Sequence, residues 1–352
     1  MSGLKNKIFR GGCEALYFSG LARMLRPFVG GIGSIFSLHH VRPARPEQFQ
    51  PNRFLEIAPE FLEAVVQRLR GDNIDLVALD EAARRLKARA FTRPFVAITL
   101  DDGYRDNKDY AYPIFKKYGV PFAVFVATSF PERRGSLWWV VLESIVAAND
   151  AIVLEMDGKE SRLVCRSVAE KHDVYLTLRG FLASRASETE MLEIVRALAA
   201  RYGIDMPAIC ASLCMDWQEI AELAAEPLVT IGAHTVNHIA LGRADEETVR
   251  AELTDARAAL EAKLKRPIRH LAYPYGDAIS AGPREYSIAA ELGYTTALTT
   301  RPGMLFPEHG AHLTALPRIA ISGEFQRLRY VDALVSGAPT ALWNRFRRLQ
   351  VA

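Results

Sequence analysis

Short apolar runs, rich in β-branched and aromatic residues, recur along this chain at 34–38, 95–100, 122–127, 228–231, 270–273, 295–298 and 316–321. Between them, the stretches 59–69, 81–88, 106–118, 245–264 and 283–292 repeat their apolar positions at helical spacing. Gly119-Val120-Pro121 and Leu292-Gly293-Tyr294 stop helices just ahead of strands. Strands alternating with helices predict an α/β fold with a parallel sheet, and so many repeats favour a barrel-like closure over an open sheet. In such a barrel, chemistry gathers at the carboxyl ends of the strands.

The rhythm breaks from about 133 to 227, where Trp138-Trp139, a polar hairpin-like piece at 152–163 and further helices intervene. This is read as an insertion that roofs one side of the pocket. Asp216, with Glu219 three residues on, is the expected cap of its last helix. Trp138 and Trp139 suit either a sugar ring or a hydrophobic anchor for the insertion. The expected organisation is a basic amphipathic segment at 1–32, a barrel at 33–323 and a helical segment at 324–352.

At 352 residues and 49% hydrophobic, the chain can bury a large core. A net charge of +3, with no run of interleaved basic and aromatic residues, argues against nucleic-acid binding. Four cysteines outline no disulfide framework; Cys210 and Cys214 share a helical spacing that fits either buried thiols or a metal pair. No apolar run approaches the roughly 18 residues of a membrane span. With no convincing cleavage site near the N-terminus, a cytoplasmic protein is expected. The first 29 residues carry five Lys/Arg against Glu14, and 342–349 is basic and amphipathic. Both segments fit either packing on the domain edge or peripheral contact with an anionic membrane surface.

The run Ala97-Ile98-Thr99-Leu100 stops at Asp101-Asp102-Gly103. Adjacent residues of a strand point to opposite faces, so continuing it would bury one unpaired carboxylate at a cost of several kcal/mol. The strand is therefore expected to end at Leu100, with Gly103 turning the chain and both carboxylates reaching one pocket, for metal binding, acid/base chemistry or both. A second strand runs into His234-Thr235-Val236-Asn237-His238, where a turn brings two imidazoles together. Two histidines and a carboxylate form a common three-ligand set for zinc or a related divalent ion. A third strand enters Tyr273-Pro274-Tyr275-Gly276, either a plain tight turn or the site of a backbone N–H oxyanion donor. A fourth ends at Leu38-His39-His40; a histidine there suits a structural hydrogen bond or protonation of a leaving amine.

These residues resemble the polysaccharide deacetylases of the NodB-homology type, carbohydrate esterase family four. Thr99-Leu100-Asp101-Asp102-Gly103 matches its T-[FL]-D-D-G motif, His234 to His238 its H-[ST]-x-x-H motif, and Tyr273-Pro274-Tyr275-Gly276 its third motif. The resemblance implies an irregular (β/α)₇ barrel, with Asp101 as general base and Asp102, His234 and His238 holding one divalent ion (zinc, or cobalt, manganese or nickel). It implies that the Tyr275 N–H serves the oxyanion, and that Tyr273, Pro274, Tyr275 and Arg318 meet the substrate. Two departures stand out. The Arg of the third motif is replaced by Ala272, leaving Arg318 or Arg269 to supply the cation. The late Leu-x-His acid is missing; His39 resembles the early strand-end histidine of the permuted branch, which includes exported poly-N-acetylglucosamine deacetylases, and is the expected general acid, with His40 and His312 behind it. The implied activity is removal of an N-acetyl group from a sugar, an oligosaccharide, or a lipid- or nucleotide-linked sugar, in surface-polysaccharide or glycolipid biosynthesis. The alternatives are a metal-free amidohydrolase acting on cyclic ureides or imides, and a catalytically decayed carbohydrate-binding domain.

Overall fold

The computed structural model describes residues 3–349 and 351 except 157 and 186, without the side chains of 3–6. Its strands are β1 (Gly33–Leu38), β2 (His40–Val41), β3 (Glu56–Ile57), β4 (Asp75–Leu76), β5 (Phe95–Leu100), β6 (Phe122–Val126), β7 (Ala151–Met156), β8 (Lys159–Val164), β9 (Val229–Ala233), β10 (His270–Ala272), β11 (Thr296–Pro302) and β12 (Leu316–Ala320). Seven of them close a parallel barrel in the order β1-β12-β11-β10-β9-β6-β5, and β5 returns to β1. All residues of β1, β5 and β6 are buried. That explains why they read as continuous apolar runs rather than alternating ones: one face meets the barrel interior, the other the surrounding helices. The barrel is the irregular (β/α)₇ type. β4 pairs only with Phe95 and Val96 of β5, below the point where β6 begins to pair at Ile98. Strands as short as β2, β3 and β4 carry no periodic signal and were not expected.

The helices bury single stripes. In Glu246–Leu264, Val249, Leu253, Ala256 and Leu260 face the barrel, and Asp245 caps the start by accepting the Thr248 N–H at 2.8 Å. The helix expected over 106–118 divides into a wide π-type turn at Asn107–Ala111 and a regular helix at Tyr112–Tyr118. Pro113, which has no N–H for an i→i−4 bond, stands at that junction.

The interruption after β6 contains the helices Trp138–Ala148, Val168–Ala183, Glu188–Arg201, Met206–Leu213 and Trp217–Ala224, with β7 and β8 as an antiparallel hairpin. It has its own small core, in which Leu142, Ile145, Ile152, Tyr175, Leu178 and Val195 meet. Asp216 and Glu219 form a reciprocal capping box, as their spacing predicts. At the other side of the molecule, helices Gly3–Phe18 and Leu21–Val29 pack on Leu328–Val335 and Ala338–Trp343 through Cys13 with Tyr330, and Ala22 with Ala338. No helix among the described residues is long and apolar enough to cross a membrane.

Candidate active site

Strand register assembles the site. Leu38 pairs with Leu100, so β1 and β5 end level, and the Asp101 N–H donates to the Leu38 carbonyl at 2.9 Å. His39 and Asp101 are thus the first residues beyond two neighbouring strands. Val126 pairs with Ala233, and the His234 N–H donates to the Val126 carbonyl at 3.0 Å. Ala233 in turn pairs with Leu271, which sets His234 beside Ala272.

Asp102, His234 and His238 converge: one donor atom from each lies within 4.8 Å of the others, and all three residues are buried. Asp102 Oδ1 stands 3.5 Å from His234 Nε2 and 3.3 Å from His238 Nε2. That oxygen is buried with no hydrogen-bond partner among the described residues. His234 Nδ1 donates to the Ala272 carbonyl at 2.7 Å, which assigns the tautomer and turns the Nε2 lone pair toward Asp102. An orphaned carboxylate oxygen facing an oriented imidazole is the arrangement a divalent cation completes, so these residues fit the expected ion. Burial pushes the Asp102 carboxyl up, but the two imidazoles close beside it outweigh this and hold the group well below the usual carboxylate range.

Asp101 is turned away from that cluster into a separate ion pair. Arg318, fully buried on β12, grips both oxygens, Nη1 to Oδ1 at 2.8 Å and Nη2 to Oδ2 at 2.7 Å. Its remaining donors reach the Thr99 hydroxyl at 3.1 Å and the Thr299 carbonyl at 2.9 Å. Burial alone would raise the Asp101 pKa; the charges of Arg318 and His234 reverse this and keep it lowered. Arg318 was expected to meet substrate, and the structure corrects this: it lies beneath the base, in the barrel interior. Arg269, the other candidate for the missing cation, is exposed.

The third loop needs a second correction. Tyr273 is wholly buried in the barrel core, with its hydroxyl donating to the Thr314 carbonyl at 2.9 Å, so its ring is unavailable to a substrate. Pro274 is also buried, and its carbonyl accepts the Gly276 N–H at 2.6 Å. Tyr275 does reach the site. Its ring centroid lies 5.0 Å from that of His238, Trp138 Nε1 donates to its hydroxyl at 2.8 Å, and its own backbone N–H has no acceptor among the described residues. Left-handed backbone recurs around the site at Asp102 (φ 71°), Thr235 (64°), His238 (55°) and Tyr275 (59°). Each costs a non-glycine residue of order 1–3 kcal/mol, a strain that concentrates where loops hold side chains for function.

His39 is half-buried; burial lowers its pKa, opposed by the charges of Asp102 and Asp101. Asn107 Nδ2 donates to its carbonyl at 2.7 Å. His40 stacks on Tyr104 at 3.5 Å and its Nδ1 pairs with the half-buried Asp106 at 2.6 Å, a dyad separate from the site. His312 belongs to the connection between β11 and β12, where its N–H closes a turn on His309. Cys210 and Cys214 are buried free thiols.

Two contributors, Glu252 and Tyr104, escaped the sequence. Glu252, buried on the Glu246–Leu264 helix, accepts the Val236 and Asn237 N–H groups at 2.7 and 2.9 Å and Asn237 Nδ2 at 2.6 Å, pinning the loop between the histidines. An acid on an apolar helix stripe was the available signal. Trp139 packs 5.2 Å from His238, and Tyr104 lies wholly buried behind Asp102, whose charge helps burial raise its pKa.

A parallel barrel thus carries at its mouth an Asp-His-His set able to hold one divalent cation. A family model described as polysaccharide deacetylase matches residues 88–297, more than half of the chain, and the chain belongs to that family. YxkH of Bacillus subtilis, assigned by name to the same family, is 21% identical over 227 residues. That match covers 64% of this chain and 51% of YxkH, so the chain spans about half the length of this curated relative. The Streptococcus pyogenes deacetylase PplD, solved in complex with acetate, superposes with a TM-score of 0.57 at 18% identity, over 86% of this chain and 97% of that one. IcaB from Ammonifex degensii gives 0.52 at 17%, over 87% and 97%. At these identities both likenesses show the fold.

Proposed function

We propose that this chain is a metal-dependent N-deacetylase that hydrolyses the acetamido group of an N-acetylated sugar to acetate and a free amine. The observation that carries this reading is the division of labour between adjacent carboxylates: Asp102 faces two imidazoles with an orphaned oxygen, whereas Asp101 is held apart by Arg318.

Asp102, His234 and His238 would hold the cation, which when bound polarises the acetyl carbonyl and acidifies water. Asp101, kept ionised by Arg318, accepts the proton of the attacking water. The free N–H of Tyr275 donates to the oxygen that gains negative charge as the carbonyl becomes tetrahedral. His39, level with Asp101 at the end of β1, donates a proton to the departing sugar nitrogen. Trp139 and Tyr275 flank His238, and the half-buried rings of Tyr275 and of Trp138, which bonds its hydroxyl, offer aromatic surface suited to the face of a sugar ring. Beside it, a cleft of about 500 Å³ bears Ser129, Ser187, Asn237 and Arg243, polar groups able to bond hydroxyls.

The natural substrate is then an N-acetylated sugar carried on a lipid, a nucleotide or a longer glycan during surface-polysaccharide or glycolipid assembly. Acetate release is measured across these three classes with purified protein of known metal content. Turnover that appears with metal, vanishes on chelation and returns on adding zinc, cobalt, manganese or nickel is expected. Full turnover by metal-stripped protein would overturn the reading.

A further inference from the structure

Nine of the fifteen large apolar side chains exposed among the described residues fall within 8–28 and 342–346. In the Leu21–Val29 helix, Leu21, Met24 and Phe28 form an i, i+3, i+7 stripe that is 44%, 68% and 72% exposed. Only the flank of this helix, at Ala22, Leu25 and Val29, packs against the body of the protein. The Ala338–Trp343 helix adds Leu342 and Trp343, at 54% and 62%, and ends in two consecutive left-handed residues, Arg345 and Phe346, which leave Phe346 64% exposed. Phe28 and Phe346 line one small cavity of about 140 Å³, so the two segments form one continuous surface.

The unpaired charge around this stripe has one sign. Arg23, Arg26, Arg345 and Arg347 have no ion-pair partner among the described residues. Glu14, the only acid in the first 29 residues, is taken by Arg329 and Tyr330 at 2.6 Å each. From these observations we infer that the surface made by Leu21–Val29 and the 338–348 segment docks on an anionic lipid bilayer, the aromatic and aliphatic side chains entering the interface and the arginines meeting headgroup phosphates. Amphipathic helices with apolar and arginine-bearing faces bind anionic interfaces in this way. A two-fold contact with a second copy fits less well, because the same unpaired arginines would face one another. The Leu21–Val29 helix ends shortly before β1 begins, at the pole of the barrel opposite the strand ends that bear Asp101 and His234. Docking there leaves the mouth open to the aqueous side, and the inference is independent of the reaction proposed above.

The test is co-sedimentation of the full chain with extruded phosphatidylcholine vesicles, with and without 30 mol% phosphatidylglycerol. The wild type should pellet with the anionic vesicles and remain in solution with pure phosphatidylcholine. A Met24→Glu/Phe28→Glu variant, with the same melting temperature because both side chains are already exposed, should bind at least tenfold more weakly. Brominated lipid should quench Trp343 fluorescence in the wild type, a signal lost in Trp343→Phe. Wild-type protein that stays in the supernatant, or a double variant that pellets equally, would overturn the proposal. So would a wild-type dimer that Met24→Glu/Phe28→Glu converts to monomer without any vesicle binding, which would assign the face to a second copy.

Discussion

Arg318 and Asp101 meet through two parallel N–H···O bonds of 2.8 and 2.7 Å although 217 residues separate them in the chain. The guanidinium reaches from β12 across the barrel interior to a carboxylate just beyond β5. It thereby does, from a different strand, what the family resemblance leads one to expect of an arginine at position 272.

Replacing Arg318 should therefore act through the base. With Arg318→Met, the largest charge opposing burial is lost and the Asp101 pKa rises. A higher pKa means that Asp101 is protonated at higher pH, so the acidic limb of the kcat/KM profile should move to higher pH. Arg318→Lys, which keeps the charge but not the fork, should move it less. An unchanged limb with lower protein stability would reduce Arg318 to a structural part.

Exchanging the two aspartates should separate chemistry from metal. Asp101→Asn is expected to lose about 10²–10⁴ in kcat while retaining its metal, since only proton transfer is removed. Asp102→Asn should lose bound metal and activity together, because a carboxylate ligand is lost. Metal analysis of the two proteins after gel filtration reads the difference. Equal metal loss in both would mean that Asp101 is itself a ligand.

Glu252 offers a test one layer out. Its carboxylate accepts three N–H groups from Val236 and Asn237, between the two histidines. Glu252→Ala should free that loop and weaken metal binding by about 10–100-fold, with activity recovered at high metal concentration. Competition with a chromophoric chelator measures the affinity. Activity that no metal concentration restores would place the defect elsewhere.

The seven barrel strands were legible as short, mostly apolar runs, continuous where both faces are buried as in β1, β5 and β6, and Asp101 and His234 could be found because they end two such runs. What escaped depends on contacts between distant positions. Nothing near Arg318 in sequence distinguishes a barrel-interior arginine from one facing a substrate; the distinction is made by Thr99, Asp101 and Thr299 closing around it. Tyr273 and Tyr275 occupy neighbouring alternate positions of one motif, yet the left-handed backbone at Tyr275 and Gly276 turns one ring into the mouth and leaves the other in the core. Strand alternation cannot foresee such a turn. Glu252 was hidden in the same way, as a charged residue on a stripe read for its apolar members.

The last prediction concerns how the insertion is tied to the barrel. Glu56, buried on β3, accepts hydrogen bonds from Arg42 at 3.2 and 2.7 Å and from Arg45 at 3.1 and 2.7 Å. Arg45 also reaches Glu143 on the insertion helix Trp138–Ala148 at 2.7 Å. Burial pushes the Glu56 carboxyl up, but the hydrogen bonds and charges of the two arginines outweigh it and set the pKa below its ordinary 4.5. The native state therefore binds this proton more weakly than the unfolded chain does. The stabilisation is complete above about pH 4.5 and drains away as the pH falls through the lower native value. Glu56→Gln should cost about 2–3 kcal/mol at neutral pH, less than breaking a fully buried pair because both guanidiniums keep some contact with water. Urea titrations of wild type and variant at pH 7 and pH 3 measure this. The gap between their midpoints should be wide at pH 7 and shrink at pH 3, below the ordinary carboxyl value, where the unfolded chain has taken up the proton. An equal gap at both values would mean that the arginines are held by shape and neutral hydrogen bonds rather than by the ionised carboxylate.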